Sequence, residues 1–252
     1  LYDSSGNGHH GVLHGNVTRI GGAVNQALSF GGNLGDYVDL GNWDPSEVTG
    51  ELTVAHWVYW SGSGGTFQGT IGKRDSWGAD DMMWQMELTT QPDPPGYILF
   101  MREGKTYPPY GFTLPVGQWV HVAATFDGTT LTLYRNGRSV TASAFSFGSD
   151  TTAAMTLGAC EAYGVNPWKG YIDDVRLYNR ALEADEFRGL MVEHHFECPL
   201  ADTTGDCRVD LADFLLLAAD WLAEGSKATG TMIPDASGFS EAEDEAGIPG
   251  QE

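Results

Sequence analysis

At 252 residues and 41% hydrophobic content, the chain is long enough for one large domain with its own core plus a small appendage. Its 13 Lys and Arg against 34 Asp and Glu give a net charge of −21, which repels nucleic acid and anionic membranes and excludes nucleic-acid binding as an expectation. No apolar run reaches the roughly 18 residues of a spanning helix, so no membrane insertion is expected, and the opening Leu1 fits a processed, secreted or cell-surface protein.

The first stretch, Asp3-Ser-Ser-Gly-Asn7-Gly-His9-His10-Gly11, is polar and rich in glycine. From Gly22 to Tyr178 short apolar runs alternate with polar residues and are separated by Gly, Asp, Asn, Pro and Thr, the pattern of a β-sandwich or jelly roll. Ala27–Phe30 and Tyr37–Leu40 read as early strands. Leu52–Trp60 is apolar on both faces and is predicted to lie centrally in a sheet. Trp84–Leu88, Tyr97–Met101, Gln118–Phe126 and Thr130–Tyr134 follow, and Asn136-Gly137 predicts a type I′ hairpin. In the last strand Asp173 and Asp174 interrupt an apolar run. Ile172 and Val175 cannot both face inward with a period of two, so a bulge is predicted at the acidic pair. Glu183–Met191 favours a short helix.

Several of these segments, in this order, resemble a laminin-G-like, concanavalin A-like jelly-roll domain: Ala27-Leu-Ser-Phe-Gly31, Tyr37-Val-Asp39, Leu52-Thr-Val-Ala-His-Trp57, Gly117–Gly128, Leu133-Tyr-Arg-Asn-Gly137 and Gly170–Leu182. The resemblance covers about residues 1–190 and implies two antiparallel sheets packed face to face. It also implies that the Asp3–His10 loop and the Asp173-Asp174 strand meet to hold calcium, with Asp3, Asn7 and Asp173 as first ligands, then Asp174 and the His10 carbonyl. A turn closed by Asp and Asn side chains is the simpler alternative. The fold hosts lectins, adhesion modules and glycoside hydrolases alike.

After a linker over residues 191–199, the segment 200–224 carries Asp202-Thr-Thr-Gly-Asp206-Cys-Arg-Val-Asp210-Leu-Ala-Asp213 and then an apolar run to Leu222. With Asp202 as position 1, oxygen side chains fall at 1 (Asp202), 3 (Thr204), 5 (Asp206), 9 (Asp210) and 12 (Asp213), and the Arg208 carbonyl stands at 7. This is an EF-hand ligand scheme, although Cys207 replaces the usual glycine and Asp213 the longer Glu; a polar cap of helix Leu211–Leu222 would account for fewer of the carboxylates. The loop resembles the dockerin variety of secreted bacterial proteins, present here as a single convincing copy. Cys198 and Cys207 either form a disulfide that staples the loop or remain reduced thiols, and Cys160 stands alone. Residues 225–252 are acidic and poor in large apolar side chains, so they stay disordered unless docked on a partner.

The fold class predicted is therefore all-β, a concanavalin A-like β-sandwich with a small C-terminal helical, EF-hand-like appendage. No paired-carboxylate strand, nucleophile elbow or phosphate loop appears, and Trp84-Gln-Met-Glu87 offers one acid only, so no enzyme is expected. His56 and His121, in apolar strands, are expected to be core or sheet-face residues, and Trp57, Trp60 and Trp119 core. Trp77, Tyr107, Tyr110 and Trp168 are aromatic candidates for exposed loops, where rings stack on sugars or anchor a protein. The expected function is a secreted, calcium-stabilised recognition module for polysaccharide or a surface protein. Its alternatives are a self-assembling surface or filament subunit, whose loop and tail contact the next copy, and a glycoside hydrolase.

Overall fold

The computed structural model describes residues 1–78, 80–91, 96–102, 111–150, 152–192, 211, 213–216 and 218–219. In chain order its strands begin with β1 (Val12–His14), β2 (Thr18–Gly21), β3 (Gln26–Gly31), β4 (Tyr37–Asp39), β5 (Leu52–Trp60), β6 (Phe67–Arg74) and β7 (Met82–Thr89). They continue as β8 (Tyr97–Met101), β9 (Gly111–Thr113), β10 (Trp119–Phe126), β11 (Thr130–Arg135), β12 (Arg138–Ala144), β13 (Met155–Leu157) and β14 (Lys169–Tyr178), and helix α1 (Ala184–Val192) follows.

Two seven-stranded antiparallel sheets result, ordered β1-β4-β13-β6-β7-β8-β9 and β12-β11-β10-β5-β14-β3-β2, and the predicted all-β sandwich is the fold observed. Alternation builds its interior: Leu52, Val54, Val58 and Trp60 of β5 join Trp84, Met86 and Leu88 of β7 and Ile98 and Phe100 of β8 in one core. β5 occupies the middle of its sheet, which explains its double-sided burial. Its outer face is closed at one end by a second cluster, in which Leu182 and Phe187 pack on Ala55, Ala123 and Tyr134. Glu186 steadies the start of α1 by accepting the Glu183 N–H at 3.0 Å, half of a capping box.

Local chemistry explains the turns and the irregularities. Asn136 (φ 48°) and Gly137 (φ 75°) both take positive φ between β11 and β12, as a type I′ hairpin requires. The bulge predicted at the acidic pair is present: the register of β14 on β5 shifts between Asp173 and Arg176, and Asp174 adopts φ 45°.

Two expectations change. Trp168, expected in an exposed loop, is 0% exposed and belongs to the core, because the chain carries it under the first sheet as β14 begins. Trp119, expected in the core, is half-buried on the outer face, since the inward position of β10 falls to Val120. β6 was not legible as a strand, because Gly69 and Gly72 dilute its apolar pattern and two bulges break its period. His56 and His121 are buried sheet residues, as expected, at 0% and 2% exposure.

Candidate ligand-binding cleft

The outer face of the first sheet carries the residues that face away from the core. Along β7 these are Gln85 and Glu87, and along β8 Leu99 and Met101. The connection from Gly158 to Trp168 crosses this face against β6: Asn166 O accepts from Gly69 N at 2.9 Å, and Gln68 Oε1 accepts from Lys169 N at 3.0 Å. Gly69 is required there, because a Cβ at that position would collide with Ala159 C and Cys160 N. Phe67, Arg74, Trp77, Glu87, Leu99, Met101 and Asn166 enclose a cleft of about 410 Å³, within the usual range for a small-ligand site.

Its polar floor is unusual for a sheet surface. Glu87 is 3% exposed, and its Oε2 accepts from Cys160 Sγ at 2.9 Å and from Gln85 Nε2 at 3.1 Å. Burial pushes the Glu87 carboxyl above the ordinary carboxylate range, against the smaller opposing pull of the Cys160 bond and the Arg74 charge. Burial likewise raises the Cys160 thiol, and the neighbouring Glu87 raises it further, so the thiol is protonated and unreactive. Arg74, 2% exposed, donates Nη2 to Glu161 Oε1 at 3.1 Å and sets its guanidinium carbon 5.5 Å from the centre of the Trp77 ring. Among the described residues, Arg74 Nε, Arg74 Nη1 and Gln85 Oε1 have no hydrogen-bond partner although they are buried. Such groups each cost about 1–3 kcal/mol when left unsatisfied. Above them Trp77 is 52% and Phe67 44% exposed, so two rings stand at the mouth of a pocket with paired donors and acceptors at its base.

Of the aromatic residues predicted for ligand contact, Trp77 thus stands in the cleft and Trp168 does not; Tyr107 and Tyr110 lie outside the described residues. Arg74, Glu87 and Asn166 were missed. The signal available was the placement of Gln85 and Glu87 opposite Trp84 and Met86 in β7, but a single acid gave no constellation until β6 and Asn166 were in place.

The predicted calcium residues divide. Asp3, Asn7 and Asp174 border one open groove with Asp44 and Arg176, and the N-terminal loop is pinned there by His9 stacked on Trp43 at 3.8 Å. Asp173 does not join that groove: its Oδ2 accepts from Val24 N at 2.7 Å and its Oδ1 from Asp174 N at 2.8 Å. The Ser5 hydroxyl first, then the Ser5 N–H at 2.8 Å and the His9 N–H at 2.9 Å, hold the Asp3 carboxyl at about 2. Asp174 is bound by Arg176 Nε at 3.0 Å, and His10 Nδ1 accepts from Asp3 N at 3.0 Å. These carboxylates close turns and an ion pair, and among the described residues no three His, Cys, Asp or Glu side chains form a metal-binding group. Asp202, Thr204, Asp206, Arg208, Asp210, Cys198 and Cys207 lie outside the described residues. Asp213 is buried at 2% exposure, in a segment whose described residues are helical.

Residues 30–188 match the Laminin_G_3 family, the concanavalin A-like lectin/glucanases superfamily, and the chain belongs to it. Similar solved structures include domain 4 of AbnA, a GH43 extracellular arabinanase from Geobacillus stearothermophilus in complex with arabinotriose, at 24% identity and TM-score 0.55 over 75% of this chain and 91% of that one. The binding domain of Paraclostridial Mosquitocidal Protein 1 aligns at 17% identity and TM-score 0.57, over 75% of this chain and 48% of that one. The receptor binding domain of botulinum neurotoxin D aligns at 14% and 0.57, over 76% of this chain and 49% of that one. The chain thus spans about half the length of these last two. At such identities the likeness shows the fold. Comparison with curated proteins by sequence gives no match.

Proposed function

We propose that the protein is a non-catalytic recognition module that holds a neutral sugar unit of an extracellular polysaccharide in the cleft. The observation that carries this reading is the exposed Trp77 ring set over Arg74 and beside Glu87 in a cavity of about 410 Å³. A sugar ring offers an apolar face to an aromatic side chain and a rim of hydroxyls to lining donors and acceptors such as Arg74, Glu87 and Asn166. The arabinotriose bound by the AbnA domain makes arabino-oligosaccharides the first probe. Titration calorimetry is expected to show saturable binding to the wild type and binding about tenfold weaker for Trp77→Ala, a loss of about 1.4 kcal/mol. Unchanged affinity in that variant, or no binding to any neutral glycan tried, overturns the reading.

Hydrolysis is a second reading with one observation behind it: Glu87 and Glu161 both flank Arg74, and burial favours the protonated form of Glu87. Glu161 does not line the cleft, and Cys160 and Gln85 already hold Glu87 Oε2, which opposes a paired-carboxylate reaction there. Release of reducing sugar by the wild type and its loss in Glu87→Gln would favour hydrolysis over binding. Calcium enters the proposal at the loop 202–213, whose spacing supplies the ligands.

A further inference from the structure

Among the described residues, the second sheet is covered on its outer face only in part. Around Thr53, Ala55, His121 and Tyr134 the cover is Leu182 and α1: Leu182 N donates to Thr53 Oγ1 at 3.0 Å, and Phe187 lies 4.7 Å from the Tyr134 ring and 6.1 Å from His121. Trp57 is still 1% exposed, edge-on to His121 at 5.3 Å. Two residues further along β5 the burial ends. Tyr59, Trp119 and Tyr171 are all only half-buried.

These three residues are directly opposite one another in register, Trp119 with Tyr59 and Tyr59 with Tyr171. Their ring centres are 5.7, 4.9 and 6.0 Å apart, and Tyr59 and Tyr171 are tilted by only 32°. The same cross-strand row continues through Ser29 to Thr18. It therefore runs over β10, β5, β14, β3 and β2, about 19 Å at the usual strand spacing, changing from aromatic to hydroxyl side chains along its length. Among the described residues, no hydrogen bond is made to Tyr59 Oη, Trp119 Nε1 or Tyr171 Oη, none of which is a buried atom without a partner.

We propose that Tyr59, Trp119 and Tyr171 form a second binding site, a flat one for a strand of neutral polysaccharide, on the opposite face of the sandwich from the cleft. Cross-strand aromatic pairs stabilise sheets by themselves, but that role does not require three rings with their polar tips left to solvent at the point where the cover of α1 ends. A glycan strand fits the change of chemistry along the row, because its sugar faces stack on rings and its hydroxyls meet Ser29 and Thr18. The row contains no cation to attract an acidic polymer, and the net charge of −21 repels one. A protein partner would need about 800 Å² of surface, far wider than one row of side chains. Because the cleft opens on the other sheet, the two sites cannot be one continuous groove, and each molecule can hold two strands at once.

The full chain is tested by affinity electrophoresis in gels containing arabinan, arabinoxylan or mixed-linkage β-glucan, with thermal melts to confirm folding. Trp77→Ala is expected to remain retarded by at least one polymer, and adding Trp119→Ala and Tyr171→Ala to it is expected to weaken that retention about tenfold or more. Should the combined variant not fold, Tyr171→Ser in the Trp77→Ala background gives the same comparison, and a change in tryptophan fluorescence on adding polymer that Trp119→Phe abolishes reports occupancy of the row. Loss of all retention in Trp77→Ala alone overturns the proposal, as does full retention by a folded variant lacking the rings. A change in oligomeric state without a change in glycan retention also overturns it, since the row is then a protein interface.

Discussion

Lowering the pH to 4.5 is expected to remove about 5 kcal/mol of the domain's stability through two buried histidines. His56 points between the sheets, is 0% exposed, and among the described residues neither ring nitrogen has a hydrogen-bond partner. Burial, and then the charge of His121, depresses it from 6.5 to about 3; burial depresses His121 from 6.5 to about 4. Both folded values lie below the unfolded one, so the unfolded chain takes up the protons first. The contribution is fully present above pH 6.5 and is lost as the pH falls toward 4 and 3. Two pH units below 6.5, each histidine costs the fold about 2.7 kcal/mol, about 5 kcal/mol together, against a usual domain stability of 5–15 kcal/mol. Urea melts of the wild type and His56→Leu at pH 7.5 and 4.5 measure this. The leucine fills a similar volume and removes two unbonded polar atoms, so the variant is expected to match or exceed the wild type at pH 7.5 and to lose about 2.7 kcal/mol less on acidification. An equal loss in both proteins would refute the reasoning, because it would mean that His56 is protonated as readily in the folded state as in the unfolded one.

Gly158→Ala is expected to destabilise by about 3 kcal/mol and lower Tm by about 6–12 °C, because that residue holds φ 78° and an added Cβ would collide with the Phe30 ring; circular dichroism melts decide it. Calcium binding by the 202–213 loop is expected to disappear, by calorimetry, in Asp202→Ala with Asp206→Ala while glycan binding by the cleft persists; retained calcium affinity places the ion elsewhere.

The sandwich was legible because its two longest apolar runs, Leu52–Trp60 and Gln118–Phe126, became the adjacent strands β5 and β10, and because Asn136-Gly137 fixed the hairpin beside them. Even the bulge could be inferred, since Ile172 and Val175 were one residue out of step. The aromatic assignments were less secure. A tryptophan's type does not reveal its face, and one position of parity separates the half-buried Trp119 from the core residue Val120. Trp168 misled because Gly and Asn residues before it read as an exposed loop, whereas that loop folds back over the sheet and takes the indole into the core. In the first loop the sequence could not separate turn closure from ligation, because both use the same residue types: Asp3 and Asp173 direct oxygens to backbone N–H groups.

The longest of the strands that the pattern did not predict is the one that builds the cleft. β6 reads poorly because Gly69 and Gly72 stand where a strand would carry apolar side chains, and because Lys73 and Arg74 are charged yet 0% and 2% exposed. Each departure has a local cause. The glycines let the Gly158–Trp168 connection lie against the sheet and bring Asn166 to the rim. Lys73 donates to Asn42 O at 3.1 Å and Ala153 O at 2.6 Å, tying two loops to the strand end, and burial lowers its pKa. That leaves Arg74, with one nitrogen on Glu161 and two unpaired, as the buried charge whose position the fold itself does not need. Replacing a buried ion pair by apolar side chains is often neutral or stabilising, so a fold selected for stability alone has little reason to keep it. Its retention under an exposed tryptophan is accounted for if the guanidinium serves a ligand, which is why β6, with its buried Arg74 beneath Trp77, is where binding is expected to reside.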